Sequence, residues 1–306
     1  MSATAHPRPM APRRRPRRWG EGLNIWLFAL PALLAYAVFL VSPAVQSIWI
    51  SMTSWNGITP VKTFVGFANY AQIFHDPTAL LAMRNNVAWT VVTIAVPMVL
   101  GLLLAIALNG ATLLKPFLRT IFYMPAVMPG VAIATIWAWL YDPSNGAINA
   151  TLKAIGLGAL AQPWLGQSST AFAAIMVPAI WVRSGFPMLI YLAALQGIPD
   201  ELYESAKTDG ANPWQNFWHI TMPSLRQAHY MVLALSLIDS FKVFDMVYAM
   251  TNGGPGNSTQ VLGTWMYFNV FQFYHAGYGS ALAVLITIIA LACGIPYVLS
   301  QMRDEK

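Results

Sequence analysis

Long runs without charge, separated by short polar clusters, dominate this chain. Forty uncharged residues lie between Glu21 and Lys62, and Asn24–Ile50 among them reads as a first apolar helix. Thirty lie between Arg84 and Lys115, giving a second helix over Asn86–Leu108 that Asn109-Gly110 closes. A further 22, almost all apolar, separate Arg119 from Asp142 and predict a third. After Lys153 and a glycine-rich stretch, a fourth covers Ala171–Gln196, interrupted midway by Arg183, Gly185 and Pro187. The fifth, Gln227–Met250, carries three charges and must end at the turn-rich run from Thr251 to Asn257. Gly279–Ser300 is the sixth. About 20 apolar residues of helix cross a bilayer core, so each run is long enough to span a membrane. Tyr70–Met83, between the first two, predicts a short helix lying at the surface.

Composition removes the soluble alternative. Charged residues make up 9 % of the 306, against about 25 % in ordinary globular chains, too few to cover a water-exposed surface. Hydrophobic residues reach 57 %, and the mean hydropathy is +0.53. A pI near 9.5 does not signal nucleic-acid binding, because six of the 17 basic residues fall within the first 18 positions. The remaining 11 are balanced by 11 acidic residues. The single Cys293 excludes an internal disulfide and any cysteine-built metal centre.

Orientation follows from Lys and Arg in the connections, since positive charge resists translocation. With the N-terminus inside, the inner segments hold twelve basic residues, including Lys115, Arg119, Lys207 and Arg226. The outer segments hold three, Lys62, Arg84 and Lys153. The expected organisation is a basic, disordered cytoplasmic head at 1–19, an all-α integral membrane domain of six spans at 20–302, and a cytoplasmic tail at 303–306. A cleavable or twin-arginine signal is the alternative for the head, but the first apolar run exceeds a signal's 7–15-residue core and no small-residue cleavage site follows it. No connection is long enough to hold a soluble domain.

The inner segment 197–223 differs from the rest. Pro199 followed by Asp200 and Glu201 suits a first helical turn, because proline needs no N–H partner there and carboxylates favour the positive end of the dipole. Gly210 stops that helix. Asn212 as N-cap, Pro213 at N1 and Gln215 at N3 restart the chain in a variant capping box, and Pro223 is expected to end the second helix. The hairpin carries Leu202, Tyr203, Trp214, Phe217, Trp218 and Ile220, more apolar surface than an isolated loop tolerates, so something should cover it. The cover is either the chain's own helix ends or a groove on another protein.

The run Glu204-Ser205-Ala206-Lys207-Thr208-Asp209-Gly210-Ala211, with Ile220-Thr221-Met222-Pro223 ten residues on, resembles the EAA loop of permease subunits of binding-protein-dependent ABC importers. Glu204, Ala206, Gly210, Ile220 and Pro223 fall at the family's spacings; Ser205 and Met222 replace the usual Ala and Leu, small for small and apolar for apolar. Phe244-Asp245 with the run Thr251–Thr259, together with Arg119, Pro125 and Gly146–Asn149, is similar to the carbohydrate-uptake branch, the maltose and glycerol-3-phosphate permease group. The resemblance implies a six-span ABC permease bundle in a bacterial or archaeal plasma membrane, with a cytoplasmic coupling helix. It implies a second homologous permease, two ATPase subunits inside that bind ATP and Mg, and an extracytoplasmic solute-binding protein. Glu204, Ser205, Ala206, Asp209, Gly210, Ala211, Ile220 and Pro223 would carry the coupling. No nucleic acid partner and no resident cofactor are expected.

The chain has no phosphate-cradling glycine loop, as Lys207-Thr208 lacks upstream glycines. It also lacks H-E-x-x-H, a G-x-S-x-G elbow and metal-spaced histidines, so it reads as a non-enzyme. Charges inside spans are costly and mark a pathway or a buried pair. Asp239, Lys242 and Asp245 recur every three residues and are expected on one helical face, either lining the solute path or neutralising one another. Arg183 offsets a carboxylate or meets an anionic ligand. Trp137, Tyr141 and Trp181 either stack on sugar faces or sit at the membrane interface, and Asn85 is similarly open. Two rivals remain. One is an importer of another small solute such as an amino acid, peptide or phosphate ester; the other is a stand-alone ion-coupled transporter using the Asp239/Lys242/Asp245 face.

Overall fold

The computed structural model describes residues 19–110 and 115–304, so most of the basic head lies outside the described residues. Among those residues there is no β-strand, only an isolated antiparallel bridge between Thr53 and Phe64. The chain divides into two compact units, residues 1–46 and 47–306. The first holds α1 (Trp19–Tyr36), a π turn at Ala37–Val41 and the start of α2 (Ser42–Ser51). Phe28, Phe39 and Leu40 are all exposed, as side chains that meet lipid would be.

The second unit begins with α3 (Ala68–Ile73) and α4 (Pro77–Asn109). Asp76 caps α4, accepting from the Thr78 amide at 2.8 Å, and Pro77 occupies the first helical position. That cap corrects the expected Tyr70–Met83 surface helix. Its first half belongs to α3, and its second half is the opening of an α4 nine residues longer at the start than the sequence implied. α5 (Lys115–Tyr123) runs into a 3-10 turn at Met124–Val127, and α6 (Gly130–Leu140) leaves it at 99°. The third expected span is therefore bent, not straight. Pro125 and Pro129 supply no amide to continue the helical ladder, and Pro129 is extended (ψ 134°). α7 (Ala147–Ala154) and α8 (Ala171–Gln196) follow.

After α8 come α9 (Asp200–Thr208), α10 (Pro213–Asn216), a π turn at Phe217–Thr221 and α11 (Met222–Ser224). α12 (Arg226–Ser240) and α13 (Asp245–Thr251) divide the fifth expected span, since residues 241–244 are not helical. α14 (Leu262–Tyr267), a π turn at Phe268–Gln272 and α15 (Ala276–Asp304) complete the chain. Among the described residues, four helical runs are long and apolar enough to cross a membrane: Phe28–Ser51, Pro77–Asn109, Ala171–Gln196 and Ala276–Ile295. The bent α5–α6 pair makes five if it counts as one span.

α4 and α8 form the central packing. Gly101 of α4 lies so close to α8 that an added Cβ would sit 2.6 Å from the Pro187 Cβ, so the missing side chain is what lets the helices touch. Gly185 does the same for α5, where a Cβ would meet the Phe122 carbonyl at 2.6 Å. Three buried clusters are strung along α4. Ala79 and Ala82 join Tyr278 and Leu282 at its start. Trp89 joins Ile175 and Val247 further along, and Ala105 and Leu108 join Tyr191 and Leu225 at its end.

Candidate functional site

The hairpin between α8 and α12 forms as its residues require. Gly210 adopts φ +84°, a left-handed conformation glycine takes without Cβ strain, and it turns the chain out of α9. Both halves of the capping box are present: the Gln215 amide donates to Asn212 Oδ1 at 2.9 Å, and the Asn212 amide to Gln215 Oε1 at 2.8 Å. A π turn at Phe217–Thr221, with the Met222 amide donating to the Phe217 carbonyl, joins α10 and α11 into one bulged helix that ends at Ser224, one residue beyond Pro223.

Glu204, Ser205, Asp209 and Gly210 are exposed, Ala206, Ala211 and Ile220 half-buried, and Pro223 exposed. Ala206, Asp209, Gly210, Ala211 and Ile220 line one groove of about 300 Å³. A second, about 370 Å³, lies where Tyr203 and Phe217 meet Ile106 and Asn109 at the end of α4. Tyr203 and Thr221 share a hydroxyl hydrogen bond of 3.0 Å, tying the hairpin's two arms together. Trp218 packs edge to face against Trp214 and Phe217, and Trp214 is 69 % exposed.

Midway along the bundle, Arg183 of α8 makes an ion pair with Asp239 of α12 at 2.5 Å. The pair borders a cavity of about 350 Å³ that Thr93, Tyr123, Phe186 and Ser236 also line. The supposed shared face of Asp239, Lys242 and Asp245 does not exist, because α12 stops at Ser240 and α13 starts at Asp245. Lys242 is exposed in the break, and Asp245 stands by Gly130 at the start of α6, where a Cβ would lie 3.4 Å from its carboxylate oxygen. Neither borders the Arg183 cavity.

The aromatic candidates cluster apart from that cavity. Trp137 is 5.6 Å from Tyr141 and 6.0 Å from Trp181 between ring centroids. Tyr141 is buried and donates its hydroxyl to the Ala174 carbonyl at 3.1 Å, so it braces α8. Asn85 is buried too, its amide donating to the Ser258 and Gln260 carbonyls at 2.9 and 2.8 Å. It clamps the turn after α13. Sequence reading passed over Thr93, Tyr123, Phe186 and Ser236, because isolated hydroxyls and aromatics in apolar helices break no pattern. The polarity of Thr93 and Ser236 within spans was the signal available.

Fold and site define an all-helical membrane protein with a structured polar hairpin joining two of its long helices. Residues 97–301 match the family model for binding-protein-dependent transport system inner membrane components, and the chain belongs to that family. It is 38 % identical over 283 residues to the probable ABC transporter permease protein YurN of Bacillus subtilis, covering 92 % of this chain and 95 % of that one. It is 34 % identical to the diacetylchitobiose uptake system permease NgcF of Streptomyces coelicolor (95 % and 86 % covered). The trehalose/maltose transport system permease MalF of Thermococcus litoralis is 33 % identical (89 % and 91 %). A crystal structure of a bacterial ABC transporter involved in import of the acidic polysaccharide alginate superposes with TM-score 0.80 at 24 % identity, covering 95 % of this chain and all of that chain, which shows a shared fold. The chain is thus a transport subunit of an inner membrane and not an enzyme.

Proposed function

We propose that this chain is the six-span permease subunit of an ATP-driven importer for a sugar or sugar-like solute, with both termini cytoplasmic. The bent α5–α6 pair serves as the third span and the broken α12–α13 as the fifth. Two ATPase subunits, which hold ATP and Mg, engage the 197–223 hairpin from inside. A second homologous permease completes the pore, and an extracytoplasmic solute-binding protein delivers the cargo; a relative in the alginate system was crystallised with its periplasmic protein. The sugar assignment draws on relatives named for diacetylchitobiose and for trehalose and maltose. Translocation proceeds by alternating access, in which ATPase closure moves the hairpin and ATP hydrolysis resets it.

The observation that carries the coupling role is the hairpin's construction. A capped, hydroxyl-bridged helix pair transmits displacement to α8 and α12, whereas a loose loop would dissipate it. Among the described residues the Glu204 carboxylate has no partner, leaving it available for a basic residue of the ATPase. The Arg183–Asp239 cavity, lined by hydroxyls and aromatic rings, lies on the solute path, with the ion pair satisfied internally.

Glu204→Lys should leave membrane insertion intact while abolishing ATP-driven uptake and ATPase co-purification. Normal uptake in that variant would contradict the coupling role. Uptake driven by a proton or sodium gradient with no ATPase would favour the ion-coupled rival.

A further inference from the structure

At the end of α4 opposite the hairpin is a second polar pocket. α4 is 33 residues long, about 50 Å at 1.5 Å per residue. Its last turns border the groove beneath Tyr203, while Asp76, capping its first turn, accepts from the hydroxyl of Tyr278 at 2.7 Å. Tyr278 is one wall of a cavity of about 240 Å³, with Trp55 and Tyr274 as further aromatic walls. Ser54, Gln72 and His275 also border it, and among the described residues their side chains have no partner. No charged side chain lines the cavity.

The walls are fixed before any ligand arrives. The buried Asn69 amide donates to the carbonyls of Ser51 and Thr53 at 2.7 and 2.9 Å. The Gly277 amide donates to the Trp55 carbonyl at 2.9 Å, and a Cβ on Gly277 would overlap the Thr53 carbonyl. Trp55 is held by its indole N–H on the Thr59 carbonyl and by Lys62, whose Nζ is 4.3 Å from the ring centroid. Tyr274 sits at φ +55°, a conformation rare for a residue with a side chain, and the residue remains 52 % exposed. An exposed aromatic residue in an uncommon backbone conformation, beside unengaged donors and acceptors in one concave pocket, is an arrangement suited to binding.

We propose that this pocket is a subsite for one neutral sugar ring on the face of the protein opposite the ATPase hairpin. Aromatic faces take the apolar faces of the ring, and the hydroxyl of Ser54, the amide of Gln72 and the imidazole of His275 hydrogen-bond its hydroxyls. Neutrality follows from the uncharged lining, and the volume admits one ring at a time. The inference rests on the sugar-importer reading for its ligand class. Function there is a first foothold for solute released at the outer surface, separate from the cavity at Arg183.

The test uses the full chain in nanodiscs, probed with glucose, maltose, trehalose and N-acetylglucosamine by saturation-transfer NMR. Gln72→Ala and His275→Ala remove side chains with no internal partner, so both should fold. Together they should raise the half-saturating concentration of a binding sugar at least about fivefold, the effect of one or two lost hydrogen bonds. Lys153→Ala, at a side chain that borders neither this pocket nor the Arg183 cavity, should leave this binding unchanged. Unaltered binding in the double variant overturns the subsite, as does failure of the wild-type chain to bind any of the four. Loss of solute-binding-protein capture with unchanged sugar affinity also overturns it, making the pocket a docking surface. ATP-driven uptake of the same sugars by the complete assembly is measured in parallel. If uptake persists while the isolated chain binds none, only the subsite fails; if no sugar is taken up, the importer reading fails.

Discussion

The Arg183–Asp239 pair offers a sharp test of the central cavity because its members are unequally exposed, 21 % for the arginine side chain and 58 % for the aspartate. Asp239→Leu strands a mostly buried guanidinium, which costs about 3 kcal/mol because the charge keeps its desolvation and loses its counter-ion. Arg183→Met strands a carboxylate that water can reach, so the cost falls to about 1 kcal/mol. Making both changes leaves no unpaired charge and conserves apolar volume, at a cost of about 1 kcal/mol or less. The double variant should therefore be more stable than Asp239→Leu alone, and the cycle should return a coupling near 3 kcal/mol. Denaturant or thermal unfolding of the purified chain in detergent, followed by near-ultraviolet circular dichroism, measures all four corners. Equal costs for the two single changes, or additive costs in the double, would refute the assigned burial and pairing.

Two further outcomes follow from the geometry. Asn85→Ala leaves the Ser258 and Gln260 carbonyls without their amide donor, which should cost about 2 kcal/mol and speed proteolysis within 251–260. Gly210→Ala meets no atom within 4 Å, so its cost should be the left-handed backbone alone, about 1 kcal/mol, with Gly210→Asn costing less. A larger loss in the isolated chain would mean that something crowds the turn.

The hairpin was almost wholly legible in the sequence because its signals are local. Pro199, Gly210 and the Asn212/Gln215 box each dictate a backbone conformation within a few residues, and each does so in the fold. Pro223 marks the end of the second helix to within one residue, but the π turn ahead of it shifts the hydrogen-bond register, and no residue type announces that shift. Hydropathy located the four long apolar helices and the bent α5–α6 pair, but not the breaks within the expected runs. Hydropathy is blind to direction, so the 99° bend at Pro125 and Pro129 and the interruption at 241–244 left the apolar windows intact. Spacing placed Asp239, Lys242 and Asp245 on one face only on the assumption of a continuous helix. The true partner of Asp239 is on α8, 56 positions away in sequence, where no periodicity could point.

Those same breaks explain where the cavity lies. Backbone that leaves the regular helix at membrane depth exposes carbonyls and amides that lipid cannot satisfy, so it survives only inside protein or against water. The 3-10 turn after α5 brings Ala126 to the cavity, Pro187 interrupts the α8 ladder beside it, and α12 stops one residue after Asp239. Three departures from helical order thus meet around one ion pair, lined by Thr93 and Ser236. An apolar, close-packed core would have no use for a half-exposed carboxylate there, and a lipid-facing groove would not tolerate it. In the importer proposed above, a wet passage between α4, α8 and α12 would satisfy the backbone, hydrate Asp239 and leave room for a hydroxyl-rich solute. On that reading, the irregularities that hydropathy failed to register are what would fit this part of the bundle for transport.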